Sequence, residues 1–147
     1  LVVVGTPKKD GGILRLVREL SLGDTVRFTG RLSDEDFVRQ YAECGMAVVP
    51  SLYEGFGLPA IEAMACGVPL ISTTGGALAE VVGDAGVLVP PGDHARLARA
   101  IAALLGSERK RSAWARRARA RAASHYDARR CAGTWYDILL SGQAARA

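Results

Sequence analysis

Two hydrophobic patterns alternate along the first ninety residues. Short runs rich in Val, Leu and Ile occupy 1–4, 25–29, 46–50, 70–73 and 86–89, each bounded by Gly, Pro or Asp. Runs of that length that are apolar throughout, rather than at every second position, read as strands covered on both faces. Between them apolar residues recur at helical spacing: Ile13, Leu14, Val17 and Leu20 before Gly23; Phe37, Val38 and Tyr41 before Gly45; Ile61, Met64 and Ala65 before Gly67. Alternating strands and helices predict an α/β fold, a doubly wound parallel sheet of Rossmann-like kind. Ser33-Asp34-Glu35-Asp36 resembles a capping box, Gly67 is placed to end a helix in a left-handed conformation, and Pro69 forbids its continuation. After Pro90-Pro91-Gly92-Asp93 the pattern becomes one of consecutive C-terminal helices, over 95–105, 108–123 and 128–141.

A length of 147 residues fits one domain with one core, and 49% hydrophobic with 23% charged residues excludes global disorder. No apolar run approaches the roughly 18–20 residues of a spanning helix, so no membrane span or secretory segment is expected. The chain opens on Leu1 in the middle of a strand-like run, and is expected to begin inside a longer protein. Cys44, Cys66 and Cys131 are odd in number, far apart and without a C-x-x-C pair. That argues against a disulfide framework or a zinc site and for a reducing, cytoplasmic setting. Nineteen Lys and Arg against 15 Asp and Glu leave a net charge of +4, which suits an anionic ligand without requiring nucleic acid. The excess is concentrated between Arg109 and Arg130.

In an open parallel sheet the ligand crevice lies beyond the carboxyl ends of the strands, which directs attention to the loops after Val4, Thr29, Pro50 and Thr73. The third of these, Ser51-Leu52-Tyr53-Glu54-Gly55-Phe56-Gly57-Leu58-Pro59, joins a strand to a helix whose first turn is set by Pro59. Free N–H groups at such a helix start, with the positive end of its dipole, make a site for phosphate, and Gly55 and Gly57 permit close approach. Glu54 lies before the helix and Glu62 one turn inside it, so the carboxylates flank the phosphate position. Carboxylates there serve as acceptors for hydroxyls, and a nucleotide sugar carries hydroxyls on both sides of its diphosphate.

The stretch Glu54-Gly55-Phe56-Gly57-Leu58-Pro59-Ala60-Ile61-Glu62 resembles the E-x7-E motif of retaining glycosyltransferases of the GT-B fold, in the group 1 family also called family 4. Val26-Arg27-Phe28-Thr29-Gly30-Arg31-Leu32-Ser33, Ala47-Val48-Val49-Pro50-Ser51, Glu62-Ala63-Met64-Ala65-Cys66-Gly67-Val68-Pro69, Gly75-Gly76 with Glu80, and Val87-Leu88-Val89-Pro90-Pro91-Gly92-Asp93 are similar to its C-terminal domain, in the same order. The resemblance implies that residues 1–147 are a nucleotide-sugar donor-binding domain, one half of a GT-B fold cut at its N-terminal edge, with the acceptor domain absent. It implies that Glu54 contacts hydroxyls of the transferred sugar and stands nearest to a catalytic residue. Tyr53, Gly55, Phe56, Gly57 and Leu58 would hold phosphates and part of the sugar, Glu62 the ribose hydroxyls, and the turn Gly30-Arg31-Leu32 would line the base pocket. It further implies transfer of the sugar with retention of configuration and no metal or other cofactor, in keeping with the lack of a D-x-D cluster. The partners would be a nucleotide-sugar donor and an N-terminal acceptor domain of the same protein.

Family members carry a Gly-Arg with a Lys a few residues later, upstream of this chain's first residue, and those cations neutralise the diphosphate. Without them and the acceptor domain, the chain is expected to bind donor weakly and transfer little. A non-catalytic nucleotide-sugar or sugar-phosphate binding module is the alternative. Lys8 and Lys9 lie in a loop where the family has a Gly-rich turn, and exposed lysines there are more often solvated surface. His94 and His125 lack partners at ligand spacing and read as structural or exposed. The Arg-rich 109–121 reads as a solvated face, with attachment to an anionic membrane surface, peripheral at its inner face, as the competing account. Trp135, Tyr136, Ile138 and Leu139 read as a packing surface. Gly75-Gly76 fit either a sugar approach or a tight turn.

Overall fold

The computed structural model describes residues 1–144. In chain order they form β1 (Val2–Val3), α1 (Gly12–Glu19), β2 (Arg27–Phe28), α2 (Asp34–Glu43), β3 (Ala47–Val49), α3 (Leu58–Ala65), β4 (Leu70–Thr73), α4 (Leu78–Val82), β5 (Val87–Val89), α5 (His94–Leu105), α6 (Glu108–His125) and α7 (Ala128–Ala144). They divide into two compact units, Leu1–Gln40 and Tyr41–Ala147.

In the second unit β3, β4 and β5 form a parallel sheet in that order, with Ile71 between Val48 and Val87. The central strand is apolar for the reason its sequence suggests. Leu70 and Ile71 are fully buried, and Ser72 and Thr73 nearly so, because strands cover both edges of β4 while α3, α4, α5 and α6 all pack against it. The helix α3 lies against α6 through small side chains: Ala60 and Ala63 on one, Ala118 and Ala122 on the other, all buried. Met64, Leu70, Leu78 and Val82 complete the centre of this core.

The predicted helix boundaries have the expected causes. Ser33 Oγ accepts the N–H of Asp36 at 3.2 Å and donates to the Asp36 carboxylate at 2.8 Å, closing the first turn of α2. Gly67, with φ +69°, ends α3: its N–H reaches the Met64 carbonyl at 3.0 Å and that of Val68 reaches Ala63 at 3.1 Å. This pair of bonds is a Schellman motif. Asp93 and Ser107 cap α5 and α6 by accepting the N–H groups of Arg96 and Lys110.

The structure departs from the sequence reading in several places. First, α4 was not foreseen. It is five residues long and buries Leu78, Val81 and Val82, too few for a periodic signal. Second, the apolar strands of the first unit are not enclosed. There β1 pairs with β2 in parallel, Val2 opposite Arg27 and Val3 opposite Phe28, yet Val2 and Val4 remain 44% and 50% exposed. A two-stranded sheet has too little surface to bury its own residues. In α7, Trp135, Tyr136 and Ile138 are exposed, and the side chain of Leu139 lies outside the described residues. None of the described helices is long and apolar enough to cross a membrane.

The Arg-rich helix α6 is not uniformly a solvated face. Arg121 donates to the carbonyls of Val81 at 2.7 Å and Glu80 at 2.6 Å, supplying partners for the C-terminal end of α4, and Tyr126 adds a hydroxyl to Val81 at 3.1 Å. Arg111 does the same for α5, donating to Leu104 and Leu105 at 2.8 Å. Arg117 stacks on Trp114 at 5.3 Å from the ring centre. Arg121→Ala is expected to lower the unfolding free energy by about 1–3 kcal/mol, since it strips two carbonyls of a charged donor. Arg121→Lys is expected to recover only part of that, because an ammonium cannot span both carbonyls as a planar fork does. Urea denaturation of the three proteins checks this, and equal midpoints for Arg121→Ala and the unaltered chain would contradict it.

Candidate functional site

Beyond the carboxyl end of β3 the chain makes two tight contacts with the turn after β4. Thr73 Oγ1 donates to the Ser51 carbonyl at 2.5 Å and accepts the N–H of Gly75 at 3.3 Å. The N–H of Ala77 donates to the Glu54 carbonyl at 2.9 Å, and Glu54 bridges in parallel to Gly76. The two backbones can meet because Gly75 and Gly76 have no Cβ. One on Gly75 would fall on the Leu52 carbonyl, and one on Gly76 on the Glu54 carbonyl, each closer than 3.0 Å. Of the two explanations open for this Gly pair, close backbone approach is therefore sufficient.

Past Glu54 the loop lifts off. The N–H groups of Gly55, Phe56, Gly57 and Leu58 donate to no acceptor among the described residues. Gly57 precedes α3 in a left-handed conformation, φ +84°, and no side chain caps the helix. It is buried on Leu78 and Val81 of α4, whose methyl groups lie 3.3–3.6 Å from where a Cβ would be, and its left-handed conformation is what favours glycine here. Pro59 has no N–H, and those of Ala60 and Ile61 turn back to the Gly57 carbonyl at 3.0 and 3.1 Å. Four consecutive N–H groups without an acceptor among the described residues thus lead into the N-terminal end of an eight-residue helix, where the dipole favours an anion. Around them the side chains of Tyr53, Phe56 and Leu58 are 76%, 63% and 56% exposed.

Both carboxylates flank this backbone in sequence. Glu54 is half-buried, and its Oε1 accepts the Ser51 hydroxyl at 2.8 Å. Glu62 sits one turn inside α3, also half-buried, and burial pushes its carboxyl above the ordinary value. Tyr41 of α2 stands beside it. Its hydroxyl donates to the Pro59 carbonyl at 3.4 Å, and its pKa is pushed up to about 12 by desolvation first, then by Glu62, Cys66 and Cys44. Between Arg39 and Arg96 the chain has no Lys or Arg, so this segment itself places no Lys or Arg side chain beside these N–H groups. Among the described residues no three His, Cys, Asp or Glu cluster as a metal would require.

Gly30, Arg31 and Leu32 follow β2 in the first unit. Gly30 has φ +70°, and its N–H donates to the Gly5 carbonyl at 3.1 Å. Thr29 Oγ1 accepts the N–H of Gly5 at 3.2 Å and donates to the Gly30 carbonyl at 2.9 Å. Arg31 is exposed and Leu32 half-buried, while Lys8 and Lys9 are exposed. Sequence reasoning missed Ser51, Thr73 and Tyr41. The available signals were a hydroxyl three residues before Glu54 and a polar residue closing an apolar strand ahead of two glycines.

A family model described as glycosyl transferases group 1 matches residues 1–121. Over 113 residues the chain is 42% identical to the MMP alpha-(1->4)-mannosyltransferase of Mycolicibacterium hassiacum, covering 75% of this chain and 28% of that protein. The sucrose-phosphate synthase of Thermosynechococcus elongatus superposes with a TM-score of 0.87 at 35% identity, covering 99% of this chain and 39% of that one. Anabaena HepE, solved in complex with UDP, superposes with a TM-score of 0.87 at 26% identity, over 95% of this chain and 40% of that one. The chain thus spans well under half the length of each of these proteins.

The raised pKa of Glu62 fixes the sign of a stability effect. A folded-state pKa above the unfolded one means that folding is favoured by this group below the unfolded value of about 4.3, and that this contribution is lost as pH rises through the folded value. Glu62→Gln removes that loss. The melting temperature of Glu62→Gln minus that of the unaltered chain is therefore expected to be higher near neutrality than below pH of about 4. Thermal unfolding at both pH values checks it, and a difference that falls toward neutrality would be the contrary result.

Proposed function

The chain belongs to the group 1 glycosyltransferase family and has the fold of the C-terminal domain of GT-B enzymes, and from that premise we propose that it binds the nucleotide-diphosphate sugar from which such an enzyme transfers a sugar. The observation that carries this reading is the set of four unpaired N–H groups at Gly55, Phe56, Gly57 and Leu58, with a carboxylate on each flank in sequence. The N–H groups take the diphosphate. Glu62 accepts hydroxyls of the ribose and Glu54 those of the sugar. An ionised carboxylate offers both of its oxygens as acceptors. The family resemblance assigns the base to the turn Gly30-Arg31-Leu32 of the first unit, and Tyr53 is a further donor contact. The UDP and UDP-glucose complexes of HepE are consistent with this class of ligand.

As the sugar–phosphate bond breaks, negative charge accumulates on the departing diphosphate. Donors already aimed at it stabilise that charge without reorganisation, and they stabilise it more in the transition state than in the ground state. Retention of configuration follows if the acceptor hydroxyl attacks from the face the diphosphate leaves, with its proton passing to a diphosphate oxygen. In that scheme Glu54 orients the sugar, and no resident metal is needed. The acceptor domain belongs to the rest of the protein. Closure of two domains would exclude water, and the chain by itself is accordingly proposed to bind donor weakly and transfer little. The setting proposed is cytoplasmic, with peripheral attachment through α6 as a secondary possibility.

Titration with UDP, GDP and ADP and with UDP-glucose, GDP-mannose and ADP-glucose, followed by amide chemical shifts, tests the reading. The amides of Gly55, Phe56, Gly57 and Leu58 are expected to shift with at least one of these ligands. Glu62→Gln is expected to weaken that ligand roughly 10-fold or more, as the loss of a charged hydrogen bond would. If all six left these amides unmoved at millimolar concentration, the donor-site reading would fall.

A further inference from the structure

Glu54 is held in place by more than its own backbone. The Ser51 hydroxyl donates to Glu54 Oε1 at 2.8 Å, and Ser51 is itself gripped, its carbonyl accepting the hydroxyl of Thr73 at 2.5 Å. Thr73 is 2% exposed at the end of the central strand, and its oxygen is fixed from the other side by the N–H of Gly75. The main chain of Glu54 is pinned to the same turn through the N–H of Ala77. Both ends of the Ser51–Glu54 contact therefore rest on the turn after β4, whereas the N–H groups from Gly55 to Leu58 carry no such attachment.

We infer that Ser51 is a positioning residue for the donor sugar: by holding Oε1 of Glu54 it leaves Oε2 as a directed acceptor for a sugar hydroxyl. The inference rests on the donor-site reading above. A glutamate has three rotatable side-chain bonds, and without the hydroxyl its carboxylate would have to be ordered by the ligand itself. Fixing one oxygen in advance removes that cost for a ligand that presents a hydroxyl, and does nothing for a bare diphosphate. Ser51 should thus govern the sugar-dependent increment of affinity. The base and phosphates are read elsewhere.

The test compares each diphosphate of the same panel with its sugar conjugate, by calorimetric or chemical-shift titration of the chain. The unaltered chain is expected to bind the conjugate more tightly than the diphosphate. In Ser51→Ala the ratio of the two affinities is expected to fall roughly 5- to 10-fold, and in Ser51→Thr, which keeps a hydroxyl, most of it should return. In the Glu54→Ala background, which removes the acceptor, adding Ser51→Ala is expected to lower the ratio no further, since the two residues act as one unit. A merely structural serine would weaken diphosphate and conjugate alike, or would add its effect to that of Glu54→Ala; either result overturns the inference while leaving the donor site standing. A conjugate bound no better than its diphosphate by the unaltered chain also overturns it. Failure of the whole panel to bind overturns the donor site and this inference together.

Discussion

Two carbonyl oxygens, of Leu52 and Glu54, lie where the Cβ atoms of residues 75 and 76 would be in any other amino acid. The site depends on this contact. It draws the loop after β3 onto the turn after β4 and lets the buried hydroxyl of Thr73 stitch them together. The loop beyond Glu54 then reaches α3 with its peptide N–H groups unpaired. Rigidity at the base and bareness at the rim have one cause, since a chain pinned as far as Glu54 and buried again at Gly57 has only the residues between and just beyond in which to present donors. Gly55, Phe56 and Leu58 are exposed, and an unmatched N–H open to water costs little.

Charge is arranged to the same end. The segment between Arg39 and Arg96 carries Glu43, Glu54, Glu62, Glu80, Asp84 and Asp93 and not one Lys or Arg. An anion held there is held by dipoles, and any further neutralisation has to come from outside the segment. Glu54 and Glu62 bracket the unpaired N–H groups in sequence, and in the proposed reading they accept hydroxyls of the ligand. Glu62 is kept partly out of water at some expense to its ionised form.

The arginines that give the chain its positive charge serve another purpose. Arg121 and Arg111 terminate α4 and α5 by supplying donors to carbonyls that have no partner within their own helices. In this way the C-terminal helices fasten the layer that carries Leu78 and Val81 under Gly57, and a surface feature by composition becomes part of what supports the loop.

Local rules were enough to read much of this from the sequence: β4 from a short apolar run after Pro69, the end of α3 from Gly67, the start of α2 from Ser33 and Asp36, and the loop with its two glutamates from glycine spacing. Each depends on backbone geometry within a few residues, so the residues concerned are neighbours in the chain. What could not be read depends on residues brought together across it. Thr73 meets Ser51 at a separation of 22 residues and Arg121 meets Val81 at 40. The five-residue α4 owes its place to burial rather than to periodicity, and whether an apolar run such as 1–4 is enclosed depends on what lies on its faces. The sequence by itself determined which backbone would be bare and where carboxylates would flank it. The tertiary structure alone decided that Glu54 is held by a hydroxyl and that the glycine pair is a point of contact, because a distance between remote residues follows from packing and is written in no local pattern.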